Sequence, residues 1–162
     1  MRIYQRLLLL LVLGLLAVSC VVSTSASSHN QEGMVGQALP VSATAKISDQ
    51  MIQLEVAKTA AEQAMGLMYR DSLPDNRGML FLFNPPRTVG FWMKNVRIPL
   101  DMVFMLGGRV VDVAHGVPPC QTEPCPIYGP AGAVDQVIEL RGGRAKELGI
   151  QPGDRIVIQP HQ

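Results

Sequence analysis

The sequence predicts a mainly β protein, a compact antiparallel β-sandwich or small barrel with one or two short helices. Apolar residues alternate in six or seven short runs between positions 51 and 159, the period of half-buried strands. Gly, Pro and Asn punctuate these runs at close spacing, as hairpin connections require. A helix-start signature stands at Thr59-Ala60-Ala61-Glu62, where a threonine hydroxyl and a glutamate three residues on can cap each other's amides.

Taken in order, residues 51–57 place Ile52, Leu54 and Val56 on one face of a first strand. The capping box starts a short helix at Thr59 that ends near Tyr69, with Ala60, Ala64, Met65 and Met68 on one side. Residues 72–78 form a loop, and 79–83 an apolar strand stopped by Asn84-Pro85-Pro86. Residues 89–93 and 100–106 read as two strands of a hairpin joined through a polar bend at 94–99. Gly107-Gly108 is a two-residue turn, after which 109–115 returns antiparallel. A Pro/Cys/Gly loop fills 117–132, a strand follows at 136–140, a helical turn at 142–148, and a last strand at 155–159.

The stretch 89–105, VGFWMKNVRIPLDMVFM, organises the chain. It holds the single tryptophan, Trp92, with Lys94, Asn95 and Asp101 around the bend. Trp92 suits either the core or a stacking platform at a pocket edge. Lys94 and Asp101 can pair across the hairpin while Asn95 satisfies turn backbone. Alternatively the three form a polar ligand-binding cluster, which Arg70 and Glu139 could complete. Neither a Ser-His-Asp nor a Cys-His arrangement is legible, so no catalytic residue is assigned and the reading leans away from an enzyme. A hydrolase or transferase using Asp101 or Glu139 is the alternative. Met68, Met79, Met93, Met102 and Met105 are heavy usage for a small domain. Thioethers select Cu(I), but they also fill cores, so no metal site and no cofactor is assigned.

The N-terminus points to export. Arg2 and Arg6 precede the apolar run 7–16, and small residues lead to Cys20, as in a secretory signal. Ala17-Val18-Ser19-Cys20 resembles a bacterial lipobox, so residues 1–19 are expected to be a signal peptide and Cys20 to be lipidated. Residues 20–40, rich in Ser, Gly, Gln and Thr, are expected to be a flexible tether, and 41–162 a single domain. That organisation implies a cell-envelope protein held to a membrane by its lipid. Cys120 and Cys125 then remain as a pair, which in an oxidising compartment most simply closes a local disulfide. Zinc is the weaker alternative, with His115 the nearby histidine. Without Arg2 and Arg6 the 14 basic residues become 12 against 13 acidic ones, a net charge of about −1 with histidine neutral. The absence of a basic stripe argues against nucleic acid. A small envelope ligand or glycan is the expected partner.

Six short motifs occur in one order: Gly66-Leu67-Met68-Tyr69-Arg70, Gly78-Met79-Leu80-Phe81, Phe91-Trp92-Met93-Lys94-Asn95, Ile98-Pro99-Leu100-Asp101, Val137-Ile138-Glu139-Leu140 and Gly149-Ile150 with Gly153-Asp154. Together the chain resembles the domain of unknown function family 192. The resemblance implies a compact, β-rich, often exported domain without a settled activity. It also implies that the two-cysteine loop matches exported members. At Val96 the family more often has threonine, so a hydroxyl there is missing from this chain.

Overall fold

The computed structural model describes residues 35–161; the expected signal peptide, the lipidation at Cys20 and most of the tether lie outside them. The chain runs through strands β1 (Val41–Ile47) and β2 (Gln50–Ala57), helix α1 (Ala60–Met65), then β3 (Arg77–Arg87), β4 (Phe91–Trp92), β5 (Leu100–Leu106), β6 (Arg109–Val117), β7 (Ile127–Tyr128), β8 (Val134–Arg141), helix α2 (Arg144–Glu147) and β9 (Val157–Pro160). Seven strands form one sheet in the order β6-β5-β8-β3-β2-β1-β9, and β4 pairs with β7 in a small second sheet. The mainly β expectation holds. Every pairing is antiparallel except β2 with β3, whose connection carries α1, the crossover that parallel neighbours need. The sheet curls until residues 153–156, ahead of β9, bond to the start of β6: the Val110 amide donates to the Asp154 carbonyl at 2.9 Å and the Ile156 amide to Gly108 at 3.0 Å. It does not close into a barrel.

Both faces of this sheet are covered. One face buries Ile52, Leu54, Leu80, Val103, Met105 and Ile138 under Ala145, Leu148 and Ile156. The other buries Met79, Phe81, Met102, Phe104 and Val137 under Leu67, Leu73, Met93 and Val96. Central strands buried on both sides read as continuous apolar runs, which is why β5 is buried from Leu100 through Met105.

Several local expectations are corrected. The capping box at Thr59 is present, with the Glu62 amide donating to Thr59 Oγ1 at 3.2 Å and the Thr59 amide to Glu62 Oε2 at 2.8 Å. Yet α1 stops at Met65, because Gly66 at φ +47° turns the chain out of the helix. Strand β3 continues past Pro85 and Pro86, since its ladder with β8 breaks between Leu82 and Arg87 and no amide donor is needed there. β1, built on small alternating Ala43 and Ala45, lies N-terminal to the first strand read from the sequence. The largest correction concerns 89–105, which is not a hairpin. β5 is committed to β6 and β8, and β4 pairs instead with β7, a strand inside the cysteine loop. The end of the expected tether is also held: Gln37 Nε2 donates to the Glu62 and Gly66 carbonyls at 2.8 and 2.9 Å.

Candidate functional site

The site grows from β3. Along this strand Phe81 and Phe83 point to one face, and the chain then bends through the two prolines to bring Arg87–Gly90 back toward them. Strand β4 contributes only Phe91 and Trp92, which point to opposite sides. Phe91 turns inward and meets Phe81, Phe104 and Phe83 edge to face, with centroids 5.0, 6.0 and 6.5 Å apart. Trp92 turns outward and keeps 47% of its surface exposed. Helix α1 supplies the facing wall through Ala60, Gln63 and Ala64, one stripe at i, i+3 and i+4. Gln63 is pinned by donating to the Leu82 carbonyl at 3.0 Å. Between these elements lies a cleft of about 400 Å³, lined further by Phe81, Phe83, Arg87, Thr88, Val89 and Gly90. The guanidinium of Arg87 sits 4.9 Å from the Phe83 ring centre.

Trp92 is held from below by the cysteine loop. Cys120 and Cys125 form the expected disulfide, with Cα atoms 5.6 Å apart. The Cys120 amide donates to the Met93 carbonyl at 3.2 Å, and β7 begins just after the bridge, pairing Ile127 with Trp92. Gly90 permits this approach, because a Cβ there would stand 2.5 Å from Ile127 Cγ2. Lys94 Nζ lies 5.6 Å from the Trp92 ring centre and 2.5 Å from Glu123 Oε1. The lysine therefore ties the tryptophan to the tip of the cysteine loop.

The other residues expected at one site are distributed. Asp101 is fully buried on the opposite face of the sheet. Its Oδ1 accepts from the Gly116 and Gly143 amides at 2.6 and 3.0 Å, and its Oδ2 from the Ala145 amide at 2.7 Å. That carboxylate caps α2 from a distance and does not pair with Lys94. Asn95, at φ +59°, receives the Tyr69 amide on its carbonyl at 2.8 Å and fixes the 67–70 segment. Arg70 belongs to another cluster, donating to Glu55 at 2.8 and 2.5 Å beside Arg77. Burial pushes the Glu55 carboxyl up, but Arg70, the Leu39 amide and Arg77 outweigh it and hold the group below its usual range.

Glu139 is buried, and among the described residues its Oε2 has no hydrogen-bond partner. It stands in the ladder between Met79 and Met102, both fully buried. Burial pushes its carboxyl up to about 8, so the side chain is protonated at neutral pH. It does not line the cleft. Of the residues expected to bind, Trp92 and Lys94 are brought together, while Asp101, Arg70 and Glu139 are set elsewhere. Phe81, Phe83, Gln63 and Arg87 were not singled out from the sequence, although Phe81-Leu82-Phe83 is an alternating aromatic pair with an arginine just beyond its stop signal.

The sequence profile of DUF192, the domain of unknown function family 192, described as an uncharacterized ACR, matches residues 41–158. No curated protein matches the chain. Among solved structures, a protein of unknown function from Novosphingobium aromaticivorans is 37% identical, with a TM-score of 0.65 over 78% of this chain and 94% of that one. A protein from Sinorhizobium meliloti, described as a proposed transcription regulator, is 31% identical, with a TM-score of 0.66 over 75% of this chain and 97% of that one.

Proposed function

This chain belongs to the domain of unknown function family 192, and on that premise we propose that it is a non-enzymatic binding module of the cell envelope, holding a small saccharide in the aromatic cleft. The observation that carries this reading is the outward indole of Trp92, 47% exposed at the rim of a cleft of about 400 Å³. Small-ligand sites are concave, mostly apolar and furnished with a few fixed polar groups, and this one combines phenylalanine walls with Gln63 and Arg87. An indole face packs against the C–H face of a sugar ring while the ring's hydroxyls stay wet. Export through the signal-like N-terminus and anchoring through Cys20 would set the domain beside envelope glycans. The disulfide fits an oxidising compartment.

An acid/base role for Asp101 is not favoured, since both its oxygens are occupied by backbone amides. Nor is one for Glu139, which is enclosed between methionines.

Because Trp92 is the single tryptophan, its fluorescence reports on the cleft directly. Titration of the purified protein with soluble peptidoglycan fragments and with other envelope oligosaccharides is expected to give a saturable change that Trp92→Ala abolishes in parallel calorimetry. Absence of saturable binding to every saccharide, by both methods, would overturn the reading.

A further inference from the structure

We infer that the cleft selects an acidic saccharide, with Arg87 receiving the ligand's carboxylate while Trp92 stacks on its ring; this rests on the binding reading above. Among the described residues Arg87 is the single charged one lining the cleft. Its guanidinium carbon lies over Phe83, 4.9 Å from the ring centre, within the range of a cation–π pair. Arg70, Arg77, Arg97, Arg141 and Arg144 each hold a carboxylate, and Lys94 holds Glu123. Among the described residues Arg87 holds none, as is true also of Arg109 and Arg155, which do not line the cleft.

A guanidinium placed over an aromatic face and holding no carboxylate has N–H donors to offer a planar, two-pronged acceptor. Arg87 itself is exposed at the cleft mouth, so an ion pair formed there is open to screening by salt. Glu62 of α1 does not line the cleft, and its Oε2 accepts from the Lys58 and Thr59 amides at 2.8 Å each. A carboxylate-bearing ring thus meets one complementary charge, and a neutral ring meets an unpaired one.

The test compares ligands that differ in charge alone. The purified protein is titrated with the disaccharide N-acetylglucosaminyl-N-acetylmuramic acid and with its methyl ester, and likewise with tetragalacturonate and its methyl ester. Trp92 fluorescence and calorimetry are read in low and moderate salt. Charge-assisted pairing predicts that at least one acid binds about tenfold or more tightly than its ester, and that the ratio shrinks as salt rises. Arg87→Gln is expected to bring that ratio toward one, with circular dichroism confirming the fold. Acid and ester binding equally to the unsubstituted protein would overturn the charge selection and leave the saccharide reading standing. Silence from all four ligands would overturn the acidic-saccharide inference, and silence extending to the other envelope oligosaccharides would overturn both.

Discussion

Trp92 and Asp101 occupy one stretch of chain and have opposite fates. The aromatic residue is half exposed, and the carboxylate is wholly buried. Tryptophan is ordinarily among the well-buried residues and aspartate among the exposed ones, so both ends of the stretch invert the usual rule. They do so for different reasons. At Asp101 every oxygen is consumed by the fold itself, through three backbone amides from β6, the start of α2 and its N-cap. At Trp92 the fold supplies β7, the disulfide loop and Lys94, 5.6 Å from the ring centre, and leaves 47% of the residue's surface exposed. A buried polar group with all its bonds made is a structural device. An apolar ring left half exposed at the rim of a cleft is what the proposed binding role would use.

The comparison breaks most visibly at Asp101. Removing its carboxylate in Asp101→Ala leaves the buried Ala145 amide and the amides of the exposed Gly116 and Gly143 without their acceptor. A buried unpaired donor costs about 1–3 kcal/mol, and each hydrogen bond to a charged group contributes about 1.5–3 kcal/mol. We expect a loss of about 4 kcal/mol in urea unfolding, with the α2 end of the sheet loosened first. Asp101→Asn is expected to lose nearly as much, because the amide nitrogen would face a donor instead of accepting from it. A stability within about 0.5 kcal/mol of the parent would show that Asp101 is not the structural end of the stretch.

Glu139 sharpens the contrast, as a second buried carboxyl that solves the same problem by keeping its proton. Its folded-state value near 8 lies above the ordinary 4.5, so the native state binds a proton that the unfolded chain releases. The stability this provides is complete below about pH 4.5, declines as pH rises, and is lost through pH 8. The decline between pH 5 and 7.5 is expected to total about 3 kcal/mol. Glu139→Gln removes it and is expected to flatten the pH dependence in that window. Glu55, held low by two arginines, works in the opposite sense and loses stability on acidification. A parent protein whose stability is flat from pH 5 to 8 would disprove the protonated state of Glu139.

The support behind Trp92 is weaker. Breaking the Cys120–Cys125 bridge in the Cys120→Ser/Cys125→Ser protein is expected to cost about 2 kcal/mol, the loop-entropy scale for a short ring. More telling is the local effect. β7 pairs with β4 through only two residues, so the indole should become more open to an external quencher and the cleft should bind less well. Unchanged quenching in the double variant would mean that the disulfide plays no part in presenting Trp92.

Much of this was legible before any coordinates. Period-two alternation gave the mainly β class because strand faces show directly in the residue pattern, and Thr59 with Glu62 announced α1 because capping is local chemistry. The cysteine pair and the importance of 89–105 were visible for similar reasons. The pairing of β4 was not. A two-residue strand has no period to read, and its partner β7 lies within a loop whose Pro and Gly content signals irregular chain. The fate of Asp101 was hidden because its three amide partners come from residues 116, 143 and 145, far along the sequence. The cleft was half legible. Trp92 stood out as a unique residue, whereas Arg87 and Gln63 acquire meaning only when β3 and α1 meet around Phe91.

Trp92→Ala tests the other end of the stretch, and its effect on stability is expected to be the smallest of the series. A ring with 47% of its surface in water forfeits only part of its burial on truncation, and its cross-strand partner Ile127 is itself 64% exposed. Surface truncations of this kind cost about 0.5–1 kcal/mol. Saccharide binding, in contrast, should fall below detection, since the stacking platform is gone while Phe81, Phe83 and Phe91 remain in place. Trp92→Phe should recover part of the affinity, because a smaller ring keeps the stacking face. A Trp92→Ala protein that is destabilised by about as much as Asp101→Ala would place the indole in the core's energetics after all. A stable one that still binds saccharide would move the site away from β4. The reading requires the third result, a protein that folds as well as its parent and binds nothing in the cleft.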